Sequence, residues 1–226
     1  FIKGLVKKQN PFKTGWQGVK NEYMLLKGLF SGGSQRTKSR FTRELPQTTA
    51  GFWASYFSNL FGFTRKVSSW GGATVSQLEP AFLKGSKAFT LGSYIMGGSS
   101  IEADPDNVIF QHEYGHYLQS QEMGWSYLFK VAIPSLKSAA GDGMHCFFKT
   151  EQDANMRSLI YMSENVEGFY RTKDQLDKDK GWNFLKNPLD PNSERVRGRY
   201  YDVRDASVRS DLIKSLSLTG GLWYIR

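Results

Sequence analysis

Cysteine and histidine are scarce in this chain. Its 226 residues include one cysteine, Cys146, and three histidines. A single cysteine excludes an internal disulfide and the disulfide-stapled class of small scaffolds, and we expect Cys146 to be a buried thiol rather than a nucleophile. No basic segment followed by an apolar stretch opens the chain, so we expect no secretory signal. Because the first residue is Phe1 instead of Met, we also expect a fragment of a longer protein.

Acidic residues are scarce in the first quarter of the chain. Residues 1–50 contain ten Lys and Arg residues against Glu22 and Glu44, so nearly all of the formal net charge of +9 arises there. A basic arm can bind nucleic acid, anionic lipid or an acidic partner, or it can simply solvate an exposed segment. No zinc knuckle, RNA-binding signature or Arg-rich helix accompanies it, so we expect no nucleic-acid binding.

Two segments among the first 64 residues predict helices. Residues 12–30 carry an apolar stripe at steps of three and four, typical of an amphipathic helix. The stripe consists of Trp16, Val19, Tyr23, Leu26 and Phe30. Twenty residues without a formal charge run from Leu45 to Thr64, a length that matches a membrane span. Because Pro46, Gln47 and Asn59 are too polar for a span, we expect a buried aromatic helix, with membrane contact through 45–64 as the alternative.

Two of the three histidines stand four residues apart in an HExxH motif, His112-Glu113-Tyr114-Gly115-His116. On a helix, residues i and i+4 share a face, so both imidazoles can bind one metal ion. Glu113 would then lie beside the open position of the metal, where it can accept a proton from water. Asp106 or Asn107 can cap this helix, and Gly124 can end it. The alternative is an ordinary amphipathic helix with two structural histidines.

A catalytic zinc site needs a third protein ligand. The metzincin pattern fails, because Gln119 and Glu122 stand where a glycine and a third histidine are required. Glu151 is the better candidate, since it resembles the third ligand that gluzincins carry on a second helix. Asn155 lies one turn further on and can accept a hydrogen bond from a ligand histidine. A capping-box pattern that starts at Thr150 predicts the beginning of this helix.

Several nearby residues remain alternatives or helpers. Asp153, and after it His145, would replace Glu151 if that carboxylate only favours the helix dipole. His145 or Tyr161 could stabilise the oxyanion that forms when water attacks a carbonyl. Tyr200 and Tyr201 offer the same chemistry. Ala154 is small enough to let two helices pack closely.

β-Forming residues between these segments predict a small sheet. We expect a short strand at 73–75 and a longer one at 88–96, immediately before the motif helix. The predicted fold is therefore α+β and mostly helical, with a small mixed sheet beside the HExxH helix. We divide the chain into a basic, aromatic and helical segment, 1–64, and a zincin-like domain, 65–226.

Most of the chain resembles the metallopeptidase end of the Rhs (rearrangement-hotspot) repeat proteins of Bacteroidetes. The resembling segments are WGGATV (70–75), FTLGSYIMGG (89–98), FQHEYGHYLQSQ (110–121), IPSL (133–136) and EQDAN (151–155), with NPFKTGWQGVKNEY (10–23), NVEGFY (165–170), NPLD (187–190) and RYYD (199–202) around them. The resemblance implies a toxin-like or effector tail that is secreted or delivered, an Rhs carrier shell and a cognate immunity protein. It also implies that strand 88–96 pairs with the substrate.

These observations together predict a zinc-dependent metallopeptidase that acts on a protein or peptide. His112, His116 and Glu151 would bind Zn²⁺, and Glu113 would activate water for attack on the peptide carbonyl. The alternative is a membrane-active or binding toxin module in which the metal is structural. This alternative rests on the basic segment that is followed by the uncharged aromatic stretch, 45–64.

Overall fold

The computed structural model describes residues 11–83, 87–140, 149–167 and 169. These residues form six α-helices and a four-stranded mixed sheet, so the predicted α+β, mostly helical fold class is confirmed. The helices are α1 (Pro11–Gly28), α2 (Ser34–Arg40), α3 (Leu45–Leu60), α4 (Val108–Met123), α5 (Ile133–Ala139) and α6 (Lys149–Asn165). The strands are β1 (Thr64–Trp70), β2 (Ala73–Leu78), β3 (Ala88–Leu91) and β4 (Tyr94–Gly97).

The strand order β1-β2-β4-β3 places β3 at an edge of the sheet. β1 pairs antiparallel with β2, β2 runs parallel to β4, and β4 pairs antiparallel with β3. The predicted single strand 88–96 is wrong, because the chain reverses at Gly92 and forms the β3–β4 hairpin. Gly92 has a φ of 59°, and a Cβ there would lie 2.6 Å from the backbone of Thr48. The hairpin turn is therefore tight and packs directly against α3.

Helices cover both faces of the sheet. Tyr94 and Ile95 are consecutive in β4, so their side chains point to opposite faces. Ile95 belongs to a buried cluster that includes Tyr114 of α4 and Ile160 of α6. Tyr94 packs with Leu25 of α1 and partly buried aromatic residues of α3. The molecule thus has three layers, with α1 and α3 on one side of the sheet and α4 and α6 on the other.

The buried faces of α1 and α3 are not the predicted ones. The apolar stripe of α1 is exposed, and the same helix instead buries Asn21 and Leu25. In α3 the buried side consists of small and polar residues such as Gly51 and Ser55, and Trp53 and Phe57 face outward. A Cβ at Gly51 would lie 2.3 Å from a backbone carbonyl of β3. Helix α3 approaches the sheet so closely that only small side chains fit between them, and its aromatic rings are excluded to the outside.

The described part of segment 1–64 packs against the rest of the chain. α1 contacts β1, and α3 contacts β3 and β4. The guanidinium of Arg40 is fully buried and donates to the carbonyls of Leu29, Ser31 and Gly72. The division at residue 64 stays a prediction. Within the described ranges, no helix combines the length and the apolar character that a membrane crossing needs.

Candidate metal centre

Helix α4 presents the HExxH motif. Asn107 caps it by accepting a hydrogen bond from the backbone N–H of Phe110 at 3.0 Å. The helix ends at Gly124, which has a φ of 58°. One turn apart on the same face, His112 and His116 bring their ring centroids to 4.9 Å. The cap and the stop thus stand where the sequence indicates, and the two imidazoles lie side by side.

Helix α6 lies directly against α4. A Cβ built on Gly115 would come within 1.9 Å of the carbonyl oxygen of Ala154. Glycine is therefore required at the centre of the motif by this helix crossing. Ala154 is fully buried at the same contact. Lys149 and Thr150 are already helical, so the prediction that Thr150 caps the start of α6 is wrong.

The close crossing brings Glu151 to the two histidines. Its Oε2 lies 3.1 Å from Nε2 of His112 and 3.1 Å from Nε2 of His116. One ligand atom from each of the three residues lies within 4.8 Å of the others. A tetrahedral zinc ion with bonds of about 2.0–2.1 Å would separate its ligand atoms by roughly 3.3 Å. The two distances from Glu151 to the imidazoles are close to this separation, so the three residues lie near enough to share one ion.

Amide oxygens orient both imidazoles. Nδ1 of His112 lies 2.7 Å from Oδ1 of Asn155, and Nδ1 of His116 lies 2.8 Å from Oε1 of Gln119. An amide oxygen can only accept, so each Nδ1 carries a proton and donates it. When each ring is neutral, its Nε2 is left with the lone pair that a metal ion needs. Asn155 thus lies within hydrogen-bonding distance of one of the two motif histidines.

Gln119 is a residue of the site that the sequence pattern did not reveal. Its Nε2 donates to the carbonyl of Thr150 at 2.9 Å and to Oδ2 of Asp153 at 2.7 Å, which sets the orientation of the amide. Asp153 also accepts from Nε of Arg157 at 2.6 Å. The fallback ligand Asp153 is therefore engaged in supporting Gln119 and is not grouped with the histidines. The available signal was the spacing of Gln119, three residues after His116 on the same helix face.

The carboxylate of Glu151 is held in its charged form. Burial raises the pKa of Glu151, but hydrogen bonds from His112 and His116 outweigh burial and hold this pKa far below its usual value. Burial conversely lowers the pKa of His112, while Glu151 and Glu113 raise it to a net value of about 9. Without an ion, the proton held by His112 offsets buried negative charge at this site. A divalent cation would take over that role from the proton.

Glu113 lies beside this cluster and is held by β3. Its side chain is buried, and its Oε2 accepts a hydrogen bond from Oγ1 of Thr90 at 2.6 Å. The Thr90 hydroxyl also lies 3.1 Å from the backbone carbonyl of Glu113. The side chain of His112 keeps 24% of its surface exposed, whereas those of His116 and Glu151 keep 6% and 2%. The site therefore opens to solvent on the side of His112.

Of the other residues predicted for the site, only Tyr161 lies among the described residues, and it is not grouped with the histidines. The hydroxyl of Tyr161 accepts a hydrogen bond from Arg36 at 2.9 Å, and its ring packs against Trp70 and Tyr114 in the core. His145 and Cys146 lie outside the described residues, as do Tyr200 and Tyr201.

The chain was compared with known protein families, curated proteins and solved structures. No protein-family model, no curated protein and no solved structure matches the chain. The function is therefore inferred from the chemistry of the site itself.

Proposed function

We propose that the chain is a zinc-dependent peptidase. The observation that carries the proposal is the approach of Glu151 Oε2 to within 3.1 Å of both Nε2 atoms of the HExxH pair. Two imidazoles and one carboxylate form a ligand set typical of catalytic zinc, which keeps a fourth position open. Structural zinc sites, by contrast, are usually closed by four protein ligands and are rich in thiolates.

Zinc in this position would supply a Lewis acid that polarises a carbonyl and lowers the pKa of water. Glu113 has the chemistry of the general base. It would take a proton from the attacking water and pass that proton to the amine that leaves. The hydrogen bond from Thr90 holds the carboxylate of Glu113 in one orientation while leaving its other oxygen for the water. Asn155 and Gln119 would keep both ligand rings in the tautomer that the metal requires.

The edge strand β3 supports a peptide as the substrate. β3 is in contact with α4, and its outer edge has no neighbouring strand among the described residues. An extended peptide could pair with that edge through main-chain hydrogen bonds, close to Glu113. The carbonyl of Thr90 already accepts a hydrogen bond from Tyr127 at 3.1 Å, so pairing would use the other main-chain groups of the edge.

We further infer the setting from the resemblance to Rhs proteins. An effector tail of this kind would be released from an Rhs carrier shell, delivered to a target and neutralised by an immunity protein. The sequence segments around residues 70–155 support this part of the proposal.

Metal content and hydrolysis test the proposal separately. Mass spectrometry should find one zinc ion per chain, and Glu151→Ala should lose it. Glu113→Gln should keep the zinc and lose hydrolysis of a denatured protein substrate. Glu164→Ala is the matched control, because Glu164 is an exposed carboxylate near the other end of the same helix. Hydrolysis that survives Glu113→Gln would reject the mechanism. Zinc that survives Glu151→Ala would move the third ligand to His145.

A further inference from the structure

The outer side of the α1–α3 layer carries two exposed apolar strips, with lysines beside the first. We call the two strips together the outer aromatic surface and define it by the stripe of α1 with Phe30 just after that helix (Trp16, Val19, Tyr23, Leu26 and Phe30) and by the ring series Trp53, Phe57, Phe61, Phe63 and Phe82. Single exposed apolar residues are ordinary on a protein, whereas large contiguous patches mark interaction sites.

The stripe is exposed from Trp16 in α1 to Phe30, two residues after the end of that helix. Its five residues keep between 52% and 66% of their surface accessible. The opposite side of α1 is anchored, since Leu25 is fully buried and Asn21 donates to Asn59 of α3 at 2.9 Å. Helix α1 is thus held in an orientation that turns its apolar face to solvent.

The ring series forms a second exposed strip, which begins on the neighbouring helix α3. Neighbouring ring centroids lie 5.5 Å apart from Trp53 to Phe57, 6.4 Å from Phe57 to Phe61, 6.5 Å from Phe61 to Phe63 and 4.9 Å from Phe63 to Phe82. All five rings are between 38% and 67% exposed. They contact one another and yet remain open to solvent, so they form one surface rather than scattered positions.

Both strips face away from the metal centre. α1 and α3 form one layer on the Tyr94 face of the sheet, whereas α4 and α6 lie on the Ile95 face. A partner that covers the outer aromatic surface would leave the site on α4 and α6 uncovered. The surface therefore has no part in the proposed chemistry, and hydrolysis does not account for it.

Charge indicates the kind of partner. Lys20 and Lys27 are exposed on α1 beside the stripe, and Nζ of Lys20 lies 5.8 Å from the centroid of the Trp16 ring. Between residues 11 and 82, the span that contains the surface, the sequence has three acidic residues, Glu22, Glu44 and Glu79, against nine Lys and Arg. Glu44 is fully buried, and Glu22 and Glu79 are half-buried. Positive charge therefore predominates in this part of the chain.

We propose that the outer aromatic surface docks on an anionic lipid bilayer. Aromatic rings favour the boundary between headgroups and acyl chains, and lysines beside them pair with anionic headgroups. A second copy of the chain would bring two positive surfaces together. Residues 170–226 contain 12 Lys and Arg against 8 Asp and Glu, a net charge of +4, so they do not complement this surface either. Because no helix in the described ranges can cross a membrane, the docking is interfacial.

Co-sedimentation of the full chain with vesicles tests the docking. The chain should bind vesicles of phosphatidylcholine and phosphatidylserine in equal parts, more weakly as salt is added, and should bind pure phosphatidylcholine far less. The double variant Phe57→Ser, Phe61→Ser should lower the affinity for the mixed vesicles at least about tenfold, because two exposed rings can no longer insert into the bilayer interface. Lys20→Gln with Lys27→Gln should weaken binding to the mixed vesicles only.

Matched variants show whether vesicle binding depends on the outer aromatic surface in particular. Phe129 is 66% exposed but lies outside the outer aromatic surface, so Phe129→Ser should bind as the wild type does. Glu113→Gln should also bind normally, which keeps this test independent of peptidase activity. Equal binding to both vesicle types, or an equal loss with Phe129→Ser, would overturn the proposal. The proposal would also be overturned if the wild-type chain bound no vesicles but formed a dimer, and if the double variant abolished that dimer.

Discussion

Gly115→Ala should damage the metal centre without touching a ligand. A Cβ at this position would lie 1.9 Å from the carbonyl oxygen and 2.4 Å from the carbonyl carbon of Ala154. Ordinary contacts between such atoms are about 3.5 Å, so α4 and α6 must move apart by roughly 1.5 Å. Metal–ligand distances tolerate only about 0.2 Å. Because Glu151 lies one turn before Ala154, the displaced helix carries the third ligand away from the histidines.

The magnitude follows from two opposing effects. Alanine in place of glycine inside a helix stabilises by up to about 1 kcal/mol. Overpacking of a closed helix contact costs about 1–3 kcal/mol. The net free energy of unfolding should therefore fall by about 1–2 kcal/mol. Zinc affinity should fall by more than the roughly 10–100-fold that loss of a supporting hydrogen bond causes, because a ligand itself is displaced.

A chromophoric chelator that competes for zinc measures the affinity, and urea unfolding of the metal-free chain measures the stability. Gly18→Ala is the matched control, since a Cβ at Gly18 in α1 would meet nothing within 4 Å. It should leave zinc affinity unchanged and raise stability by up to about 1 kcal/mol. If Gly115→Ala binds zinc as tightly as the wild type, the helix contact does not position the third ligand and the reasoning is refuted.

Three further changes test neighbouring parts of the structure. Gln119→Leu removes the acceptor for Nδ1 of His116 and should lower zinc affinity about 10–100-fold in the same chelator titration; an unchanged affinity would remove Gln119 from the site. Thr90→Val removes the donor to the buried carboxylate of Glu113 and should lower the free energy of unfolding in urea by about 1.5–3 kcal/mol. Thr90→Ser keeps the hydroxyl and should therefore retain most of the wild-type stability. Burial raises the pKa of Glu44 above its usual 4.5, so the folded state holds this proton more tightly than the unfolded state. Wild-type stability should therefore fall as pH rises from about 4.5 through the raised pKa, and Glu44→Gln should flatten that slope in thermal unfolding; equal slopes would contradict the assignment.

The parts of the site that sequence could predict are those that depend on local spacing. His112 and His116 share a helix face because they stand four residues apart, and Glu151 and Asn155 share a face for the same reason. Asn107 and Gly124 mark the ends of α4 through cap chemistry that depends only on neighbouring residues. None of these predictions depends on which other segments of the chain pack against the two helices.

The parts that sequence missed depend on contacts between distant segments. Thr90 and Glu113 are joined by a hydrogen bond across 23 positions, and neither residue carries a local signal of it. Gln119 is oriented by residues of α6, 31 and 34 positions later. The β3–β4 reversal at Gly92 depends on α3, against which it packs. Periodicity within one segment does not contain this information.

The sequence by itself determined that the chain has a helix able to offer two imidazoles and a carboxylate, and a second helix able to offer another carboxylate and an amide. Only the tertiary structure decided that Gly115 meets Ala154 and thereby brings Glu151 to the histidines. Only the tertiary structure decided which faces of α1 and α3 are buried. Periodicity shows that a helix has an apolar side, but close packing selects the side that fits, and in α3 the small, polar side fits against the sheet.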